Sequence, residues 1–194
     1  MTRNINSIII YGAGRAGRII KEILELQNKK ILGFIDDDPN LKGTLKYGTE
    51  ILGDYQYLKQ IKNENQFNVV ISIAAPNLMQ QRDVIFRRLK NDGYRFINII
   101  HPTACISPSA SIGTNNFISP GVIIEPGTIM GDNNRICINS SIDHDCIIGD
   151  SNFIGANSYI ASCSKIENNC VINPCQYLEP FAELKSGSVF TTKA

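Results

Sequence analysis

Apolar and polar positions follow two different rhythms along this chain, and the change comes near residue 101. In the first hundred residues, short apolar runs alternate with stretches whose apolar positions recur every three to four residues. That alternation predicts strands and helices built around a parallel sheet. Ser7 to Tyr11 reads as a buried strand, followed by a helix to about Gln27 with Ile19, Ile20, Ile23 and Leu24 on one stripe. A second strand is expected over Ile31 to Ile35, a helix over Tyr55 to Lys62 and a strand over Phe67 to Ile73. A helix from about Leu78 to Lys90 and a strand over Phe96 to Ile100 complete the pattern. The sum is half a Rossmann fold, an α/β domain expected to span residues 1–101.

The second rhythm has a period of six. Every sixth residue from Ile106 to Phe190 is apolar, and two residues before most of them stands a small side chain such as Ala104, Ser140, Cys146 or Ser188. This is neither a helix period nor a simple alternation. Each hexapeptide is expected to form one short strand and a corner, and stacked coils would then bury a continuous core, as in a β-helix. Three residues after each apolar position the corner needs a left-handed backbone, which favours Gly, Asn and Asp. Asn115, Gly121, Gly127, Asn133, Asn139, Asp145, Asn157, Asn169 and Gly187 stand at such positions. Residues 102–194 are therefore expected to be an all-β domain of stacked coils.

Charge narrows the partners. Nineteen Lys and Arg against eighteen Asp and Glu leave a net charge of +1, and no basic run could track a phosphate backbone, which argues against nucleic acid. The N-terminal stretch MTRNINSIIIYGAG is too short in apolar residues for a signal peptide or a membrane span, so a cytoplasmic location is the expectation. Six cysteines, all in the second half and without a CxxC pair, suggest neither zinc nor disulfides and read mostly as small packing residues.

Two stretches carry candidate chemistry. Gly12, Gly14 and Gly17 stand in GxGxxG spacing between the first strand and its helix. Glycines there let a backbone approach phosphate, and the helix N-terminus supplies N–H donors. Asp36, at the end of the second strand, could accept from a ribose hydroxyl, which makes a nicotinamide-dependent oxidoreductase one reading. Packing of helix on strand is another. The α/β unit lacks a second mononucleotide half, however, and would house a dinucleotide poorly. The other stretch is SIDHDCIIGD, where His144 lies two residues after Ile142 at a coil corner, its side chain directed away from the core. Read alone, it fits a catalyst or an exposed turn residue. Asp143 reads as facing solvent. With only His101 and His144 in the chain, the three-histidine metal set of hexapeptide carbonic anhydrases is lacking.

Taken together, GAGRAG, GFIDDDP, INIIHPTACISPSASIG and INSSIDHDCIIGD make the chain resemble the hexapeptide-repeat nucleotide-sugar acetyltransferases of the PglD and NeuD type. The resemblance implies a left-handed parallel β-helix after the α/β domain, and transfer of an acetyl group from acetyl-CoA to an amino group, less readily a hydroxyl, of a nucleotide-linked sugar in glycan biosynthesis. It implies a homotrimer and no metal. On its pattern His144 is the general base and Asp145 its acidic neighbour, with the amide of Ser162, one coil further on, as an oxyanion or acetyl-CoA contact. Gly12, Gly14, Arg15, Ala16, Gly17, Asp36, Asp37 and Asn77 are the implied nucleotide-sugar contacts. The chain departs from the pattern where Arg15 and Ala16 replace a Gly-His pair, at Ser162 in place of a glycine, at Phe153 in place of a second histidine, and at its GSVFTTKA ending, which lacks the usual GxPAK tail. Phe153, Ala16 and the missing tail favour a third reading, a catalytically silent scaffold of the same fold.

Overall fold

A computed structural model describes residues 7–62 and 67–191; the last residues of the GSVFTTKA ending lie outside the described residues. The chain divides into two compact units, one of residues 1–74 with 85–97, the other of residues 75–84 with 98–194.

The first unit is a five-stranded sheet. Strands β1 (Ser7–Tyr11), β2 (Lys30–Ile35), β4 (Thr49–Gly53) and β5 (Asn68–Ile71) pair in parallel, and β3 (Leu45–Lys46) runs antiparallel at one edge, giving the order β3-β4-β2-β1-β5. Helices α1 (Arg15–Leu26) and α2 (Tyr55–Ile61) form the crossovers. Ile20, Ile23 and Leu24 bury one face of α1, but Ile19 is 45% exposed, so the stripe is narrower than the sequence suggests. The β3–β4 hairpin has no clear apolar signature: Leu45 is exposed, and the turn between the strands depends on Tyr47 and Gly48 at positive φ. The core gathers Ile9, Tyr11, Ile35, Val69 and Ile71 from the strands with Leu58, Phe86 and Leu89 from helices. Each such fully buried side chain contributes about 1.5–3 kcal/mol.

The second unit is a left-handed parallel β-helix of two-residue strands, from Ile99–Ile100 to Val189–Phe190. They stack as three sheets of five, five and six strands, and residues pair with partners eighteen positions away, as Ser141 does with Tyr159. The expected strand over Phe96 to Ile100 is divided. Phe96 makes an isolated bridge to Val69, whereas Ile99–Ile100 opens a coil sheet by pairing with Phe117–Ile118. The reason is the hexad itself, because Ile100 stands six residues before Ile106 and packs on the same apolar column.

Ile118, Ile124, Met130, Ile136, Ile142 and their successors fill the interior of the coil. The corners adopt the left-handed conformation at Asn115, Asn133, Asn139, Asp145, Asn157 and Asn169, and at Gly121, Gly127 and Gly187. Ser151, Cys163, Cys175 and Phe181 adopt it too, with φ from 58 to 60°. Only Cys146 and Cys170 are buried among the cysteines; Cys163 and Cys175 are corner residues rather than packing residues.

Two ladders of side chains stitch successive coils. Asn98, Asn116, Asn134 and Asn152 each accept, through Oδ1, from the backbone amide eighteen residues later, at 2.7–2.9 Å. Asp132, Asp150 and Asn168 accept from the amide eighteen residues earlier, each at 2.7 Å. Helix α3 (Met79–Asn91) is shared between the units. Its fully buried Arg82 donates to the carbonyls of Asn115 and Asn133, and Asp83 accepts from the Ser151 hydroxyl at 2.6 Å.

Candidate active site

Each unit holds its own cluster of candidate residues. In the α/β unit the glycine loop is tied to the ends of three strands. Gly12, at φ 103°, donates to the Ile35 carbonyl, and its own carbonyl accepts from the Ser72 hydroxyl at 2.6 Å. Asp36 accepts from the Ala13 amide at 2.8 Å and from the Asp38 amide at 3.1 Å. Asp37 accepts from the Tyr11 hydroxyl at 2.6 Å and the Tyr55 amide at 3.1 Å, with Arg88 nearby at 3.8 Å.

The three glycines have different tasks. A Cβ on Gly17 would stand 2.5 Å from the Gly12 carbonyl oxygen and 3.1 Å from Phe34, so that position serves close packing. A Cβ on Gly14 would meet nothing within 4 Å. Gly14 caps α1 in an extended conformation, and no side chain caps the helix in its place, which leaves room for an anion at its N-terminus. Arg15 is exposed there and Ala16 is partly buried. Asn77 stands in the exposed turn Pro76–Leu78, which belongs to the second unit.

In the coil, Ile142 turns inward and the corner that follows turns its side chains out. Asp145 takes the left-handed conformation at φ 58°, as this corner position requires, and its carboxylate meets His144 Nδ1 at 2.9 Å. The imidazole side chain is 49% exposed, so it is not a core histidine. Its bond to Asp145 raises the imidazole pKa above the ordinary histidine value, with Asp143 and Glu125 adding to the effect and desolvation opposing it. His144 is in stacking register with Ser162: the His144 carbonyl accepts from the Cys163 amide at 3.1 Å. The Cys163 thiol, His144 and Asp145 bring their donor atoms within 4.8 Å of one another.

Asp143 does not simply face solvent. One carboxylate oxygen accepts from the His144 amide at 2.8 Å and the other from the Tyr159 hydroxyl at 2.9 Å. The His144 amide, followed by contacts with Glu125 and Tyr159, holds the Asp143 carboxyl below the usual range, while the hydrogen bond to Asp143 pushes Glu125 up. Glu125 and Tyr159 escape a linear reading because they lie far from His144 in sequence. Their signal is the coil period: Glu125 stacks on Asp143, and Tyr159 stacks on Ser141. Phe153 is buried on a strand between Arg135 and Val171.

Residues 7–89 match the family model described as the PglD N-terminal domain, and residues 127–162 and 145–175 match the bacterial transferase hexapeptide of six repeats. Among curated proteins, none matches the chain by sequence. Among solved structures, it is similar to PerB from Caulobacter crescentus in complex with CoA and GDP-perosamine, with 23% identity, a TM-score of 0.72, and coverage of 96% of this chain and 89% of that one. WeeI from Acinetobacter baumannii shares 22% identity with a TM-score of 0.79, over 94% of this chain and 87% of that one. The acetyltransferase domain of PglB from Neisseria gonorrhoeae, in complex with acetyl coenzyme A, shares 18% identity with a TM-score of 0.76, over 96% of each chain. At these identities the likeness is one of fold.

Proposed function

We propose that this chain, which joins a PglD N-terminal domain to bacterial transferase hexapeptide repeats, is an acetyl-CoA-dependent N-acetyltransferase acting on a nucleotide-linked amino sugar. The observation that carries the reading is His144, exposed at a coil corner with Nδ1 held by Asp145 at 2.9 Å and Nε2 left to face a substrate. As a neutral amine bonds to a thioester carbon its nitrogen must shed a proton, and a positioned imidazole can take it. Nε2 takes that proton as the amine nitrogen bonds to the thioester carbon. Asp145 fixes the ring's orientation and tautomer and supports the imidazolium, the task of the acid in a Ser-His-Asp triad. The Ser162 amide, one coil from His144, donates to the oxyanion of the tetrahedral intermediate. Collapse breaks the carbon–sulfur bond, and the imidazolium returns its proton to the departing thiolate, leaving an amide and free CoA. No step in this scheme uses a metal.

The glycine loop is the proposed acceptor site, where Gly14 and the N-terminus of α1 would meet the diphosphate and Arg15 would add a charge. PerB, of the same fold, is solved with CoA and GDP-perosamine, which supports that pairing of ligands. A homotrimer is part of the proposal: Ile123, Ile129, Ile138 and Ile147 are each at least 43% exposed on the coil, and a three-fold contact between coils would cover such positions. Among the described residues no helix is long and apolar enough to cross a membrane; we place the enzyme in the cytoplasm, where acetyl-CoA and nucleotide sugars are found together.

The test is release of free CoA from acetyl-CoA across a panel of nucleotide-linked amino sugars and their hydroxyl counterparts, with calorimetric titration of NAD alongside. Turnover is expected with one amino sugar, and no binding of NAD. NAD binding without turnover would return the glycine loop to the oxidoreductase reading, and failure to bind acetyl-CoA would leave the scaffold.

A further inference from the structure

The two ring nitrogens of His144 have different neighbours. Nδ1 is engaged by Asp145, so Nε2 is the atom that meets a substrate. Asp143 Oδ1 lies 4.0 Å from Nε2, too far to occupy its lone pair yet close enough for strong attraction once the ring is charged. The same oxygen accepts from the His144 amide, and the other accepts from the Tyr159 hydroxyl at 2.9 Å. Tyr159 is itself braced, with its ring stacked on Tyr177 at 5.8 Å between centroids and 18° between planes. The Asp143 side chain is only 17% exposed, against 65% for Asp145.

We propose that Asp143, clamped by the Tyr159 hydroxyl, is a positioning residue that provides a fixed counter-charge to the imidazolium at Nε2 as the acceptor's proton arrives. The inference rests on the reading of His144 as the base. It gives the ring a carboxylate at each edge: Asp145 sets the tautomer, and Asp143 stabilises the charge on the reacting side while leaving Nε2 open. Among the described residues, Glu125 and Cys163 are further titratable groups near the ring. The hydrogen bond between the two carboxyls pushes Glu125 up, while the His144 amide holds Asp143 down.

The experiment is a histidine-selective NMR titration of the full chain and of Asp143→Asn, Tyr159→Phe and Glu125→Gln, paired with steady-state kinetics. The chain has two histidines, so His101 serves as an internal control. Asn at 143 can still accept from the His144 amide, which keeps the corner intact. Asp143→Asn should move the His144 curve to lower pH, leave His101 unmoved, and lower kcat by less than the roughly hundredfold minimum for loss of a general base, with KM for acetyl-CoA unchanged. Tyr159→Phe should move the curve the same way by a smaller amount. An unmoved His144 curve in Asp143→Asn, or an equal displacement in Glu125→Gln, would overturn the specific role of Asp143. An unmoved curve and normal kcat in Tyr159→Phe would overturn the clamp. The titration needs no substrate, so a curve displaced as expected in a protein that acetylates no amine would count against the proposed reaction and not against Asp143's hold on the ring.

Discussion

The carboxylate of Asp145 stands 2.9 Å from His144 Nδ1 while its own backbone sits in the left-handed region at φ 58°. One residue thus closes the corner and orients the ring. Asn tolerates the same backbone, so Asp145→Asn isolates the charge. His144→Ala is expected to lower kcat by roughly 10² to 10⁴ with little change in KM, because the proposed base acts in the transition state. Asp145→Asn should lose less. Steady-state kinetics and melting curves of both variants check this, and neither exposed change should move the melting point much.

Gly127 offers a way to disturb that carboxylate without touching it. A Cβ there would collide with Asp145 Oδ1, the other oxygen of the carboxylate whose Oδ2 meets His144, and the glycine has φ +73°. Gly127→Ala should therefore cost about 1–2 kcal/mol in backbone conformation and reduce kcat at least as much as Asp145→Asn. Denaturant titration and kinetics on the same sample would show both effects. Full activity would mean that Asp145 can shift without consequence.

The raised imidazole pKa fixes the sign of the pH dependence. In the proposed role His144 works only when unprotonated, so the acid limb of kcat/KM should fall above the ordinary histidine value of about 6.5. Asp145→Asn should move that limb down, as its bond is the largest cause of the shift. For stability the same group contributes fully below its unfolded pKa, and the contribution is lost as pH rises through the folded value; for so exposed a pair it is small. A pH–rate profile with its acid limb at or below the ordinary value would contradict the assignment.

Much of this arrangement is legible in the chain and some is not, for physical reasons. The six-residue apolar repeat points to the coil because it turns Ile142 and Ile148 inward and sets left-handed corners at Asn139 and Asp145. The corner rule is broader than composition suggests, since the stacked ladder holds Ser151, Cys163 and Phe181 in a conformation they rarely choose. The surroundings of His144 are harder to read because Glu125 and Tyr159 reach it across coils, and helix periodicity gives no hint that Arg82 is buried. Arg82 donates to the main-chain carbonyls of Asn115 and Asn133, which carry no sequence signal.

Arg82 is accordingly a stability residue. Arg82→Met should cost about 3 kcal/mol by stripping charged donors from the buried carbonyls of Asn115 and Asn133. A guanidinium midpoint measured beside the wild type would reveal it. A midpoint unchanged would mean that water replaces the guanidinium.

The glycine loop can be dissected by substitution. Gly17→Ala should destabilise by about 1–3 kcal/mol, because the new methyl meets the Gly12 carbonyl and Phe34. Gly14→Val has open space, so the fold should persist while nucleotide-sugar affinity falls and acetyl-CoA binding remains. Calorimetry with each ligand separates the cases. Normal binding of both in a folded Gly14→Val protein would make the loop a packing turn only.

The asparagine ladder hands its acceptors to the following coil, whereas the Asp132–Asp150–Asn168 ladder hands them to the preceding one. Peeling a terminal coil from either end must therefore break at least one clamp that belongs to the coil left behind, and fraying has no easy direction. A column sewn with two threads of opposite sense resists unravelling at both hems, which keeps the mid-column corner at His144 in register even while the outermost turns breathe.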